Sequence, residues 1–188
     1  MRKSTVFLVI LMFSFISAAA VFAGVDGKAR ILLLISEQNI EGPRTAWWAS
    51  EVDLSATEAA VAGKLIGSGY EVLDPEQIEG TVKKDRAFRM LNLREKDAVK
   101  IGNLSRVDYI ILGKAVASGG AKVPQSNMRS CFANLTVKLI RVKDAKIVAY
   151  LDGAGSSAHM DVITGGREAL VSAASDLSAK IIEALNKQ

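Results

Sequence analysis

The chain has 188 residues, of which 49% are apolar, 23% charged and 6% aromatic. It is too apolar to stay disordered and too short for several domains of ordinary size, so one domain is expected. The net charge of +4 invites a polyanion partner, but the placement of the charges argues against one.

Residues 1–23 read as a cleavable export signal. Arg2 and Lys3 open it, an apolar run follows from Val6 to Ile16, and small residues lead to Ala23. Val21 and Ala23 suit the −3 and −1 positions of a signal peptidase site. The alternative is an uncleaved anchor, since Ser4 to Ala23 is 20 residues, just enough to span a bilayer. Ala18-Ala19-Ala20 interrupts the run and favours cleavage. Gly24, not Cys, follows the cleavage point, so no lipid is expected at the new amino terminus. Without the signal, 22 basic and 20 acidic residues remain, a net of +2. The expected product is residues 24–188, periplasmic, with no transmembrane anchor and no lipid.

Ala29 to Ile35 is a continuous apolar run of strand length, as a strand buried on both faces requires. Residues 37–50 form a loop containing Gly42-Pro43 and Trp47-Trp48. A helix is predicted from Val52 to Ile66, with Ala59, Ala62, Leu65 and Ile66 inward and Gly67-Ser68-Gly69 as its stop. Tyr70 to Leu73 is a short strand. Asn92 to Leu104 can form a second helix with Leu93, Ala98, Ile101 and Leu104 inward. Asp108 to Gly113 is another buried strand, and Gly119-Gly120 to Gln125 a loop. From Ala133 to Leu139 apolar and polar residues alternate, the mark of a strand with one wet face. Ile147, Ala149 and Leu151 alternate in the same way after a turn at Lys143 to Lys146, so these two strands should form a hairpin. A helix from about Gly166 to Asn186 carries Leu170, Ala174, Leu177, Ile181 and Ala184 on one face. The order β-α-β-α-β-β-β-α predicts a single α/β domain with a mixed sheet and an antiparallel hairpin before the C-terminal helix.

Catalytic motifs are scarce. There is no nucleophile elbow, phosphate-binding loop or paired-histidine zinc helix. Cys131 is the only cysteine, which excludes an internal disulfide and a cysteine-cluster zinc site, and its apolar neighbours suggest a buried strand thiol. His159 is the only histidine. A triad would have to recruit Asp161 and Ser156 or Ser157, neighbours too near in sequence to converge readily, so His159 reads as a surface residue before the last helix. No enzyme activity, cofactor or metal is expected. Thr164-Gly165-Gly166 precedes the last helix as drawn from sequence, where Thr164 can cap it and free amides can hold an anion.

Two features suggest contacts with proteins. Trp47 and Trp48 are the only tryptophans. They either cover core at the sheet edge or anchor a partner, with Arg44 beside them. Glu58, close to the apolar face of its helix, is either a boundary residue or a polar anchor near that loop. Charge is also segregated: residues 37–79 carry nine acidic and two basic side chains, a net of −7, whereas residues 83–106 carry eight basic and three acidic, a net of +5. These are either two solvated faces or complementary patches for head-to-tail contact between copies, with Lys83, Lys84, Arg86 and Arg89 in the basic part. Nucleic acid is not expected, because the basic stretch lacks interleaved aromatics.

The strand Val107-Asp108-Tyr109-Ile110-Ile111-Leu112-Gly113, the long segment Ala133 to Asp144, Gly69-Tyr70-Glu71-Val72-Leu73 and the alanine-rich last helix together resemble a periplasmic α/β domain family. That family includes CsgG-like curli secretion proteins, the TolB amino-terminal domain, the FlgT middle domain and the similarly folded LpoB. The resemblance implies a non-catalytic envelope module that binds proteins, as an assembly or adaptor factor of a flagellar, secretion or cell-wall apparatus, and that sometimes forms homo-oligomers. The hairpin turn departs from the family pattern at Asp144-Ala145-Lys146, and the lipid-bearing Cys is missing. The alternative function is a periplasmic small-ligand or anion receptor using Thr164, Gly165 and Gly166; a hydrolase stands last.

Overall fold

The computed structural model describes residues 28–40, 55–73 and 95–188. Arg44, Trp47, Trp48, Lys83, Lys84, Arg86, Arg89, Leu93 and the signal segment 1–23 lie outside the described residues. Within them the elements follow the predicted order: β1 (Lys28–Gln38), α1 (Ala56–Gly67), β2 (Tyr70–Leu73), α2 (Glu95–Ser105), β3 (Tyr109–Lys122), β4 (Arg129–Arg141), β5 (Lys146–His159) and α3 (Val162–Asn186). One mixed sheet runs β2-β1-β3-β4-β5. The first three strands are parallel, and β4 and β5 complete an antiparallel meander.

Two cores flank this sheet. In β1, Ile31, Leu33 and Ile35 face a core shared with α1 and α3, while Leu32 and Leu34 face a second core under α2. Successive side chains of a strand alternate between faces, so only a strand covered on both sides can use an unbroken apolar run.

Local chemistry sets the bounds of α1. Ser55 Oγ accepts the Glu58 backbone N–H at 3.0 Å as the N-cap. Two carboxylates tie the same end to β1: Glu58 accepts from Ile35 N at 2.9 Å, and Glu37 from Thr57 N at 2.8 Å. Glu58 is therefore a polar anchor between helix and strand. The far end closes at Gly69, whose φ of +87° is the left-handed conformation that glycine adopts without strain. The predicted inward face holds at Leu65, which is buried, and at Ala62, which packs against the core, but not at Ala59 and Ile66. Thr57, Val61 and Leu65 are buried, whereas Ala59 is exposed and Ile66 is 58% exposed. The 57-61-65 row wins because it faces both the sheet and α3, burying more than the 59-62-66 edge. In α2, Ala98 and Ile101 point inward as predicted, but Leu104 is 62% exposed and Ser105 is buried instead, its hydroxyl donating to Ile101 O at 2.7 Å.

Two corrections concern the strands. Gly119 and Gly120 belong to β3, not to a loop. Gly119 pairs with Cys131 across the hairpin, and the Phe132 ring lies over Gly120, where an added Cβ would meet Phe132 Cε2 at 2.6 Å. A register shift near Leu139/Ile140 pairs Leu139 with Ala149 and Ile140 with Ile147, leaving Val148 as the extra residue. Ile147 therefore joins the α2 core, while Ala149 and Leu151 join the other.

The turn into β5 contains Ala145 at φ +55°. A Cβ in this conformation costs about 1 kcal/mol. Ala145→Gly is therefore expected to stabilise the domain by about 0.5–1 kcal/mol, read as a higher urea midpoint.

Helix α3 begins at Val162, four residues before the predicted start. It lies against β5 with its backbone almost touching the strand. A Cβ added to Gly153 would meet Ala173 O at 2.5 Å and Leu177 Cβ at 2.8 Å, and one added to Gly155 would collide with Ala169 O and Ala173 N. Small residues on both partners, Gly153 and Gly155 on β5 and Ala169 and Ala173 on α3, are what permit this approach.

Candidate interaction surface

Strands β3, β4 and β5 are longer than the helical cover on one side of the sheet. On the α1/α3 side, Ala115, Ala117, Cys131, Ala133, Leu135, Val137 and Leu139 are all buried. On the other side, α2 covers Ile110 and Ile140. Among the described residues, this cover reaches as far as an ion pair between Lys138 of β4 and Glu95, the first residue of α2. Glu95 accepts a hydrogen bond from the Lys138 ammonium and raises its pKa. Lys138 also lies over the Tyr150 ring, 5.5 Å from its centre.

Beyond that ion pair no helix among the described residues covers the sheet face. Lys114, Val116 and Ser118 of β3, Phe132, Asn134 and Thr136 of β4, and Tyr150, Asp152, Ala154 and Ser156 of β5 are all exposed. Val116 is 42% and Phe132 47% exposed. Register explains why these two share a patch. Phe132 pairs with Ser118 and Val116 with Asn134, so the apolar pair sits diagonally on adjacent strands. The end of the sheet adds Met128 and Met160, one residue beyond the Arg129–His159 pair, and sets Lys122 beside Arg129. The surface thus combines apolar anchors with Lys114, Lys122 and Arg129, a composition suited to a protein partner with apolar and acidic groups.

Val116 and Phe132 were not singled out from sequence. The signal was present in the alternation of β4, where Phe132 has the parity of Asn134, Thr136 and Lys138. It was obscured by Cys131 and Ala133 on either side, which make the segment read as buried.

The sequence-predicted site residues fall as follows. Thr164, Gly165 and Gly166 lie inside the first turns of α3, not before it. The N-cap is Asp161, whose carboxylate accepts the Thr164 N–H at 2.9 Å and the Thr164 hydroxyl at 2.5 Å. Those two hydrogen bonds, the hydroxyl's first, hold the Asp161 carboxyl below the usual carboxylate range. The helix start already has its own anion, so Thr164 is not the cap. Gly165 and Gly166 are buried for packing. A Cβ on Gly165 would meet Cys131 Sγ at 2.7 Å, and Gly166 lies against Asn39 and Ile40.

Cys131 is fully buried beneath this helix turn. His159 Nδ1 accepts the Asp161 backbone N–H at 3.0 Å, and Ser157 Oγ donates to Gly165 O at 2.6 Å. The imidazole, hydroxyl and carboxylate therefore bond to backbone or to Thr164 instead of lining up as a relay. Among the described residues, no three His, Cys, Asp or Glu side chains converge as metal ligands do, and no helix is long and apolar enough to cross a membrane.

No family model and no curated protein matches the chain. Solved structures do resemble it. A lipoprotein from Neisseria meningitidis is 14% identical, over 85% of this chain and 99% of that one, with a TM-score of 0.46. The PelC dodecamer from Paraburkholderia phytofirmans is 14% identical, over 85% and 87%, with a TM-score of 0.42. The LpoB C-terminal domain from Escherichia coli is 12% identical, over 70% and 84%, with a TM-score of 0.41. LpoB is one of the proteins the strand pattern resembles; CsgG, TolB and FlgT are not among these three. Identities of this order carry no function across, so the surfaces of the chain itself must supply it.

Proposed function

We propose that this protein is an exported, non-catalytic module of the bacterial envelope that works by binding other proteins, as an assembly or adaptor factor. The observation that carries the reading is the open, apolar and basic face of β3–β5 centred on Val116 and Phe132. Exposed aromatic and aliphatic side chains at the centre of a patch, with charge at its rim, are the usual anatomy of a protein contact. The export signal read in residues 1–23 supplies the compartment. Trp47 and Trp48 with Arg44, and the stretch Lys83, Lys84, Arg86 and Arg89, are proposed as further contact points, the second group steering acidic partners.

The test is crosslinking in intact cells followed by mass spectrometry, for the wild type and for Val116→Ser combined with Phe132→Ser. Both side chains are exposed, so the fold should persist and circular dichroism should be unchanged. Crosslinked partner is expected to fall by about tenfold or more. The partners recovered identify the apparatus served: flagellar, secretory, cell-wall synthetic or further copies of the chain. An unchanged crosslink pattern in the folded variant would remove the sheet face from the mechanism, and recovery of the wild type in the cytoplasm would remove the compartment.

A further inference from the structure

Strand β5 is an edge of the sheet: it pairs with β4 and with no other strand among the described residues. It is also long, at 14 residues, and unusually slender, since Gly153-Ala154-Gly155-Ser156-Ser157-Ala158 is a run of small side chains. A long edge strand presents a row of unpaired N–H and C=O groups, and a small-residue strand specifies register poorly. Such an edge is its own complement: two copies can pair antiparallel about a two-fold axis.

Two side chains of α3 reach this edge. Asp176 Oδ2 accepts the Ala154 backbone N–H at 3.2 Å, and Lys180 Nζ donates to the Asp152 carbonyl at 2.8 Å. The two also bond to each other at 2.9 Å, one helical turn apart. Ala154 N–H and Asp152 C=O are the groups a neighbouring strand would use, because in an antiparallel pair alternate residues turn both groups away from the partner. By the same alternation Tyr150, Ser156 and Ala158 also point outward. The clamp therefore occupies the middle of the row that a second strand would need.

We infer that Asp176 and Lys180 form an edge guard, which keeps β5 from pairing with β5 of a second copy of this chain. The guard combines three bonds. Asp176 fills an edge donor, Lys180 fills an edge acceptor two residues away, and the ion pair fixes both side chains over the strand. An approaching strand must displace all three before its central hydrogen bonds form. The hydrogen bond from Lys180, with Ala154 N–H contributing, holds the Asp176 carboxyl below the usual carboxylate range.

The test is sedimentation velocity over a wide range of protein concentration, comparing wild type with Asp176→Ala/Lys180→Ala. Alanine suits both helical positions, so folding should survive. The double variant is expected to gain a species of doubled mass that grows with concentration and is absent from the wild type. Adding Ala154→Pro, which removes the outward N–H without touching the β4 ladder, should abolish it. A folded double variant with the wild-type mass distribution would overturn the inference, as would a new species that survives Ala154→Pro. If the double variant fails to fold, Asp176→Ala alone carries the test, with the same two overturning outcomes.

Discussion

Leu135→Ala is expected to destabilise the domain by about 4 kcal/mol, measured as a lower urea midpoint at unchanged slope. Leu135 is fully buried in the middle of β4, under α3. Leucine-to-alanine changes in cores cost about 2–5 kcal/mol, depending on how far the surroundings close the gap. Here they can close it little. The cross-strand neighbours of Leu135 are Ala115 on one side and Gly153 on the other, and neither has a side chain to swing in. Helix α3 cannot settle either, because its backbone already rests on Gly153 and Gly155. The cost therefore belongs in the upper part of the range. A loss below about 2 kcal/mol would show that α3 moves toward the sheet. Leu104→Ala is the matching control: its side chain is 62% exposed, and its effect should stay within about 0.5 kcal/mol.

Gly155→Ala should cost about 3 kcal/mol, equivalent to a fall in melting temperature of roughly 6–12 °C for a domain of this size. The sign is informative. Glycine in a strand is normally a weakness, and alanine in its place relieves the unfolded-state entropy by about 0.5–1 kcal/mol. At Gly155 the new methyl would enter the backbone of α3 at Ala169 O and Ala173 N, and backbone cannot turn aside as a side chain can. The whole helix must lift, loosening Leu170, Leu177 and the contact of Gly165 with Cys131. Gly102→Ala shows the contrast. Its methyl would meet side chains and no backbone, Ile110 Cδ1 at 2.5 Å and Cγ1 at 3.2 Å and Val142 Cγ2 at 2.8 Å, and the gain of about 1 kcal/mol for alanine in a helix interior offsets part of the overpacking, so the cost should be smaller than at Gly155. A stabilising Gly155→Ala, seen by calorimetry, would mean that α3 does not sit directly on β5.

Much of the architecture was legible from residue order. The unbroken run Ile31 to Ile35 required a strand covered on both faces, and the alternation from Ala133 to Leu139 required one with two unlike faces. The last helix showed its inward row at Leu170, Ala174, Leu177, Ile181 and Ala184, of which the first four are buried and Ala184 is half-buried against the same core. These readings succeed because burial is periodic and the period differs between strand and helix.

Glycine caused the principal errors. Gly119 and Gly120 read as a loop, and Gly165 and Gly166 as the mouth of a helix, because isolated glycine signals freedom of φ. In the folded chain the first pair sits in a strand with the Phe132 ring over Gly120, and the second lies within a helix pressed on Cys131 and Asn39. What glycine supplied at Gly120, Gly165 and Gly166 was closeness of approach, which depends on a partner distant in sequence. The same holds for the helix faces of α1 and α2. Ile66 and Leu104 are apolar and correctly spaced, yet exposed, since the rotation of a helix is set by the surface it meets.

The composition and order of the 188 residues thus determined an α/β domain with the observed order of its described elements, the pairing of the long hairpin and the inward row of α3, all consequences of local periodicity. Tertiary structure alone decided that, among the described residues, α2 covers Ile110 and Ile140 but leaves Val116 and Phe132 exposed. It alone decided that Asp176 and Lys180 of one helix meet the backbone of Asp152 and Ala154 on β5. Both depend on where the end of one element falls against another, and residues separated by 22 and 28 positions in the chain carry no local pattern that records such a meeting.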